Sequence, residues 1–188
     1  NGASLVFSEF DIENLSDKVI KVKSAKNAMI DLAKNWRNKF DGEILGITGS
    51  NGKTTTKELI GHILSQNINC QYSKGNHNNT IGMPMTLMSF NPNSELTVLE
   101  MGSNSPGEIT FLCEIAHPTM GLITNVNESH IEFFNTIENI SIEKSALFHS
   151  LPEEGTAFVN LDDPYISTMD IKGEKITYSF NSNADFKG

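Results

Sequence analysis

"ITGSNGKTTTKELIGHIL", Ile47 to Leu64, decides the fold. A short apolar stretch, Ile44 to Ile47, leads into it. A turn bounded by Gly49 and Gly52 follows, then Lys53 and three threonines, then a helical pattern. A strand that turns sharply into a helix needs glycine, which also leaves room for an anion to approach backbone N–H groups. The helix N-terminus adds partial positive charge. Lys53 can reach outer phosphates, and Thr54 can offer its hydroxyl to Mg²⁺. The strict phosphate-loop spacing, G-x-x-x-x-G-K-[ST], needs a glycine where Ile47 stands, so this loop is a shortened form, G-x-x-G-K-T. Leu59, Ile60, Ile63 and Leu64 are expected to mark the buried face of the helix that follows.

The bulk numbers narrow the classes around that loop. At 188 residues the chain is one domain, or one domain with a short attachment. A net charge of −9 argues against nucleic acid or an anionic membrane as partner, although a locally positive site can still hold an anion. Two cysteines, Cys70 and Cys113, are too few for a disulfide scaffold and read as ordinary buried thiols. No apolar run approaches the roughly 18 residues of a membrane span, and no signal peptide is visible. The start, "NGASLVF", lacks methionine and reads as a piece of something longer. The cytoplasm is the expected compartment.

Apolar runs alternate with helical patterns. Strands are predicted at 43–48, 69–73, 95–100, 119–125, 156–160 and 175–180, and helices at 25–39, 53–66, 82–90, 106–116 and 136–151. This alternation predicts an α/β fold, a mostly parallel sheet flanked by helices on both faces. Ligands in such sheets sit at the carboxyl ends of the strands. Residues 1–39 read as a lead-in of a strand end, a linker and one helix, and residues 40–188 as the main domain. The tail "SNADFKG" reads as stopping without a closing element.

Four further features carry chemistry. Glu100 closes the apolar strand "LTVLE" and is either a surface glutamate or a Mg²⁺ ligand beside the loop. Pro106, shortly after it, suits the first turn of a helix. His130, in "NESH", is either a loop histidine or a metal ligand, an unusual one for Mg²⁺. Lys144 falls inside an apolar stripe of Ile137, Ile140, Leu147, Phe148 and Leu151. A lysine there implies a snorkelling stem, a buried acidic partner, or carbamylation of a neutral amine. The segment "KGNHNNTIGMP", Lys74 to Pro84, is either a turn or a substrate loop built on amide side chains.

"GITGSNGKTTTKE", "KGNHNNTIGMPMTL", "LEMGSNSPGEI", "LITNVNESHIEFF" and "IEKSALF" occur in the order and spacing of the Mur ligases. The asparagine-rich loop and "EMGxxxPGEI" resemble the MurF type. The resemblance runs from Glu43 to Lys187, and the shortened loop is that family's own form. It implies a phosphate-loop NTPase-like central domain and an ATP-dependent amide-bond ligase of peptidoglycan synthesis. The implied partners are UDP-N-acetylmuramoyl-tripeptide and D-alanyl-D-alanine, joined through an acyl phosphate by a monomeric parent enzyme.

Carried over residue by residue, Gly49, Ser50, Asn51, Gly52, Lys53, Thr54 and Thr55 would bind ATP, with Lys53 on the β- and γ-phosphates. Thr54 and Glu100 would hold one Mg²⁺. His130 and Lys144, the latter as a carbamate, would hold a second. Asn76 and Asn79 would face the UDP-sugar-peptide or the phosphates. Asn127, Glu128 and Ser129 depart from the small residues common before the family's histidine. "NLDD", Asn160 to Asp163, reads as no more than a cap for a short helix after Pro164. By the same resemblance, an N-terminal domain would precede Lys39, and a C-terminal domain and the adenine-holding residues would follow Gly188, so the fragment alone is expected to be inactive. The rivals are a MurE-type ligase, folylpolyglutamate synthase, and a nucleotide-binding module without catalysis.

Overall fold

The computed structural model describes residues 3–12 and 17–188, so residues 1–2 and 13–16 of the lead-in lie outside it. Two short strands, β1 (Val6–Ser8) and β2 (Val19–Lys21), pair in parallel as a small sheet of their own. Helix α1 (Ala25–Arg37) follows. Its N-cap, Ser24, accepts a hydrogen bond from the Asn27 amide.

The main sheet has seven strands, all paired in parallel. In chain order these are β3 (Glu43–Thr48), β4 (Cys70–Tyr72), β5 (Leu96–Glu100), β6 (Met120–Ile123), β7 (Thr156–Asn160), β8 (Glu174–Ser179) and β9 (Phe186–Lys187). In space they run β4-β5-β3-β6-β7-β8-β9. The chain therefore leaves β3 for one edge, returns beside it as β5, and crosses to its other side as β6. β3 is the point where the winding direction reverses, and such a point opens a crevice at the strands' carboxyl ends. Five consecutive residues of β3, Ile44 to Thr48, are buried, as expected of a parallel strand covered on both faces.

Helix α2 (Lys53–Leu64) covers one face over Leu45, Ile47, Leu96 and Val98. The other face carries the larger core, to which α1, α3 (Gly82–Met88), α4 (Glu108–Ala116), α5 (Ile131–Phe134) and α6 (Ile137–His149) contribute. Ile30 and Ala33 of α1 belong to that core, so this helix packs with the main sheet although it precedes residue 40. Among the described residues no helix is long and apolar enough to cross a membrane.

Three expectations change. The tail carries an element, the short strand β9: Asp185 accepts hydrogen bonds from the Thr177 amide and hydroxyl, which aligns β9 beside β8. The buried face of α2 is not the one predicted. Leu59 and Ile63 are 58% and 59% exposed, whereas Lys57 and Gly61 are buried and Ile60 and Leu64 pack on the sheet. The reason is the loop: it fixes where the helix starts and hence which side meets the sheet. Pro106 lies in a turn before α4, whose N-cap is Gly107 with φ 87°.

Gly61 sits where α2 crosses β4, and a Cβ there would run into the Tyr72 ring. An alanine in place of a helical glycine ordinarily adds up to about 1 kcal/mol of stability. Here overpacking, about 1–3 kcal/mol, is the larger effect. Gly61→Ala is expected to lower the urea midpoint. A raised midpoint would contradict the close apposition of α2 and β4.

Candidate active site

The loop between β3 and α2 is lashed to the segment that follows β6. The Ser50 amide donates to the Asn125 carbonyl at 2.9 Å, and the Asn51 amide to Asn125 Oδ1 at 3.0 Å. The Asn51 carbonyl accepts from Thr124 Oγ1 and from Asn125 Nδ2. Ser50 Oγ donates to the Asn127 carbonyl and accepts from the Asn127 amide. This is why β6 stops at Ile123: the predicted extension to Asn125 turns away to clamp the loop. Gly49 is required by that clamp, since any Cβ would collide with the Thr124 side chain.

Gly52 is required for another reason. Its φ is 80°, a region L-residues avoid, while the space beside it is open. Among the described residues no side chain caps α2. The first amides of the helix therefore face the cleft without an intrahelical acceptor. Lys53 Nζ lies back along the loop, donating to the Gly49 and Ser50 carbonyls at 2.7 and 3.2 Å. Burial lowers its pKa, and the charge of Glu100 opposes that shift.

Ser50, Asn51, Gly52, Lys53, Thr54, Thr55, Asn76, Asn78 and Glu100 line a single cleft of about 380 Å³. Glu100 is 2% exposed. Its Oε1 accepts from Asn78 Nδ2 at 2.7 Å, but its Oε2 is buried without a hydrogen bond. A buried carboxylate oxygen with a vacant acceptor position, next to a threonine hydroxyl and bare amides, suits a hard cation that takes oxygen ligands. Among the described residues no three His, Cys, Asp or Glu side chains gather as a metal cluster. The donor set that is assembled is thus one carboxylate and one hydroxyl, leaving the remaining positions to phosphate oxygens and water, the pattern Mg²⁺ favours.

Not every expected residue joins this cleft. Asn76 lines both it and a neighbouring cleft, and Asn79 lines only the neighbour. Asn79 Oδ1 accepts the Ile81 and Gly82 amides, an Asx turn at the start of α3. His130 is exposed, with φ 55°, and precedes α5. Lys144 is 3% exposed on α6, and no hydrogen bond or ion pair engages its Nζ among the described residues. Burial, then the nearby charge of Lys53, lowers its pKa to about 8, against a smaller opposing effect of Glu143. Glu143 is not its ion-pair partner: it caps α4, accepting from the Gly107 and Ile109 amides at 2.6 and 2.8 Å. Asp163 caps the short 3₁₀ turn Ile166–Thr168 and also accepts the Val126 amide, so "NLDD" does act as a cap.

Sequence reasoning missed three residues that shape the site. Asn78, which sequence reasoning did not single out, holds Glu100. Lys57 is fully buried behind the loop, although its place four residues after Lys53 puts both on one helix face. Glu143 was hidden because its partners, Gly107 and Ile109, lie 36 and 34 residues away in sequence.

The low pKa of Lys144 makes a stability prediction. Its folded value, about 8, lies below the ordinary lysine value of 10.5, so the folded state resists the charged form. The resulting destabilisation is full below pH 8 and fades as pH rises toward 10.5. In CO₂-free buffer, Lys144→Met is expected to be more stable than the unsubstituted protein at pH 7, by up to about 3 kcal/mol. That gap should narrow above pH 8. A gap independent of pH would show that packing, not charge, separates the two proteins.

Residues 47–188 match the family described as the Mur ligase middle domain. The UDP-N-acetylmuramoyl-tripeptide–D-alanyl-D-alanine ligase of Synechocystis is 38% identical over 182 residues, 94% of this chain and 40% of that protein. The ligase of the same name from Escherichia coli is 35% identical over 184 residues, 97% of this chain and 40% of that protein. Among solved structures, the MurF ligase of Thermotoga maritima in complex with ADP superposes with a TM-score of 0.87 at 32% identity, over 97% of this chain and 43% of that one. The chain thus spans about 40% of the length of these curated relatives. On the match over residues 47–188, carried by the shortened phosphate loop and the sheet it grows from, the chain belongs to the Mur ligases.

Proposed function

We propose that this chain is the ATP-binding part of a MurF-type ligase, which joins D-alanyl-D-alanine to UDP-N-acetylmuramoyl-tripeptide by way of an acyl phosphate. The observation that carries the reading is the cleft itself: bare α2 amides, Lys53, Thr54 and the vacant Glu100 oxygen face one space. The names of the relatives supply the substrates, and the ADP complex of one of them supplies the nucleotide.

The chemistry asked of these residues is positioning and charge neutralisation, since phosphoryl transfer needs little covalent help from protein. The backbone from Gly49 to Thr55 cradles the phosphates, and Lys53 swings from its own loop's carbonyls onto the β- and γ-phosphate oxygens. Thr54 and Glu100 are assigned one Mg²⁺. When bound, the metal offsets the charge that builds on the transferred group. His130 and carbamylated Lys144 are assigned a second metal. Support for the carbamate is the burial of a partnerless lysine with a lowered pKa, because only a neutral amine adds carbon dioxide. Asn76 and Asn79 are assigned to the UDP-sugar-peptide side. Residues 1–39 are assigned as a lead-in from a preceding substrate domain, with α1 docked on the domain of residues 40–188. The parent enzyme is assigned as a monomer of the cytoplasm.

In the full-length ligase, phosphate release from ATP should require both the tripeptide precursor and D-alanyl-D-alanine. Lys53→Ala should reduce it by at least about a hundredfold. Binding of Mg·ATP without release for any acceptor would favour a non-catalytic module, and release with folate and glutamate a folylpolyglutamate synthase. Separately, ¹³C NMR under ¹³CO₂ should show a carbamate resonance that Lys144→Met abolishes and Lys53→Met preserves. Its presence in Lys144→Met would remove the assignment.

A further inference from the structure

Lys57 is fully buried, and a lysine is not buried without cause. It stands one helical turn after Lys53 on α2. Its Nζ donates to the Gly75 carbonyl at 2.9 Å and lies 2.9 Å from Glu58 Oε1 and 3.9 Å from Glu100 Oε2. Glu58 does not explain the burial. Its side chain is 46% exposed, and a solvated lysine could pair with it equally well. What lies inward is Gly75 and Glu100.

The spacing to Glu100 matters. At 3.9 Å the ammonium is too far for a hydrogen bond, yet close enough to offset a buried negative charge. The carboxylate is therefore neutralised while its Oε2 stays vacant. The other oxygen is held by Asn78, whose carbonyl accepts the Gly102 amide. Gly75 and Asn78 bracket Asn76, so Lys57 and Glu100 together pin both ends of the short segment that lines the cleft.

We propose that Lys57 is a built-in counter-cation, which holds Glu100 and the asparagine loop in the arrangement that receives a divalent cation with its nucleotide. This rests on the reading of Glu100 as a metal ligand. Lys57 is a positioning residue: it bears on the bound groups through Glu100 and Gly75. Its charge is needed most when no metal is present, because Glu100 is then a buried anion beside an anionic ligand.

The test is ADP binding to the full-length protein by calorimetry, in EDTA and in saturating Mg²⁺. Lys57→Met should weaken metal-free binding about tenfold or more while changing Mg·ADP binding by less than about threefold. Lys57→Arg should restore the metal-free affinity. Equal losses in both conditions, or none in either, would overturn the proposal and leave Lys57 a structural strut. Lys57→Met leaves a buried charge unpaired, so the protein is also made as Lys57→Met with Glu100→Gln. Folding of the pair but not of the single variant supports the proposal, and failure of both overturns it. Glu100→Gln alone reports on the underlying reading. Unchanged Mg²⁺ dependence there removes the metal assignment and the Lys57 proposal with it. Lost dependence there, with equal losses in Lys57→Met, removes the Lys57 proposal alone.

Discussion

A carboxylate buried at the end of a central strand constrains everything around it. Glu100 is 2% exposed, with one oxygen bonded and the other not. An isolated buried carboxylate is costly, so the fold must supply compensation nearby. It does so from two directions: Asn78 arrives from the loop after β4, and Lys57 from the helix after β3. Both can reach because β3 and β5 are neighbours at the reversal of the sheet, with Ile47 in register with Glu100. The strand order places the phosphate loop and the acidic residue side by side, although they are half a hundred residues apart in sequence.

The loop shows a complementary division of labour. Its side chains and carbonyls are committed to the Thr124–Asn127 segment, which makes the turn stiff. The amides at the head of α2 are left uncommitted, because Gly52 provides no side-chain cap. Elsewhere in the chain, helices begin with caps that occupy such amides: Ser24 for α1, Thr136 for α6 and, across space, Glu143 for α4. The short α5 also starts without a side-chain cap, but among the described residues only the uncapped start of α2 opens on the cleft. Stiffness with free donors is what electrostatic preorganisation toward an anion requires.

These physical terms also explain what could be read from the sequence. The central strands were legible because burial on both faces leaves a continuous apolar run, as in Ile44 to Ile47. The loop was legible because glycine at two fixed positions has few other uses. β9 was not, since two residues carry no periodicity and their placement depends on the Asp185–Thr177 bonds. The face of α2 was misread because apolar spacing was taken as burial. Leu59 and Ile63 are exposed, while the long stem of Lys57 lies inside. Among the asparagines of one loop, composition could not say that Asn78 would bond Glu100 while Asn79 turned to α3. Spacing within a loop does not encode direction.

The two halves of the proposed site differ in readiness, and electrostatics gives a reason. The half built on the loop and Glu100 is assembled, with Lys57 offsetting the carboxylate. The half assigned to His130 and Lys144 is not: one side chain is exposed, the other buried and unbonded, and neither lines the cleft. As an ammonium, Lys144 is repelled by Lys53, which contributes to its lowered pKa. Addition of carbon dioxide replaces a positive charge by a negative one at the same position. The repulsion between Lys144 and Lys53 then becomes an attraction, and the cost of burial falls on a group that a divalent cation can share. On the proposed assignment, the modification and the metal would remove each other's penalty, and a lysine buried with no hydrogen bond or ion pair among the described residues fits that assignment.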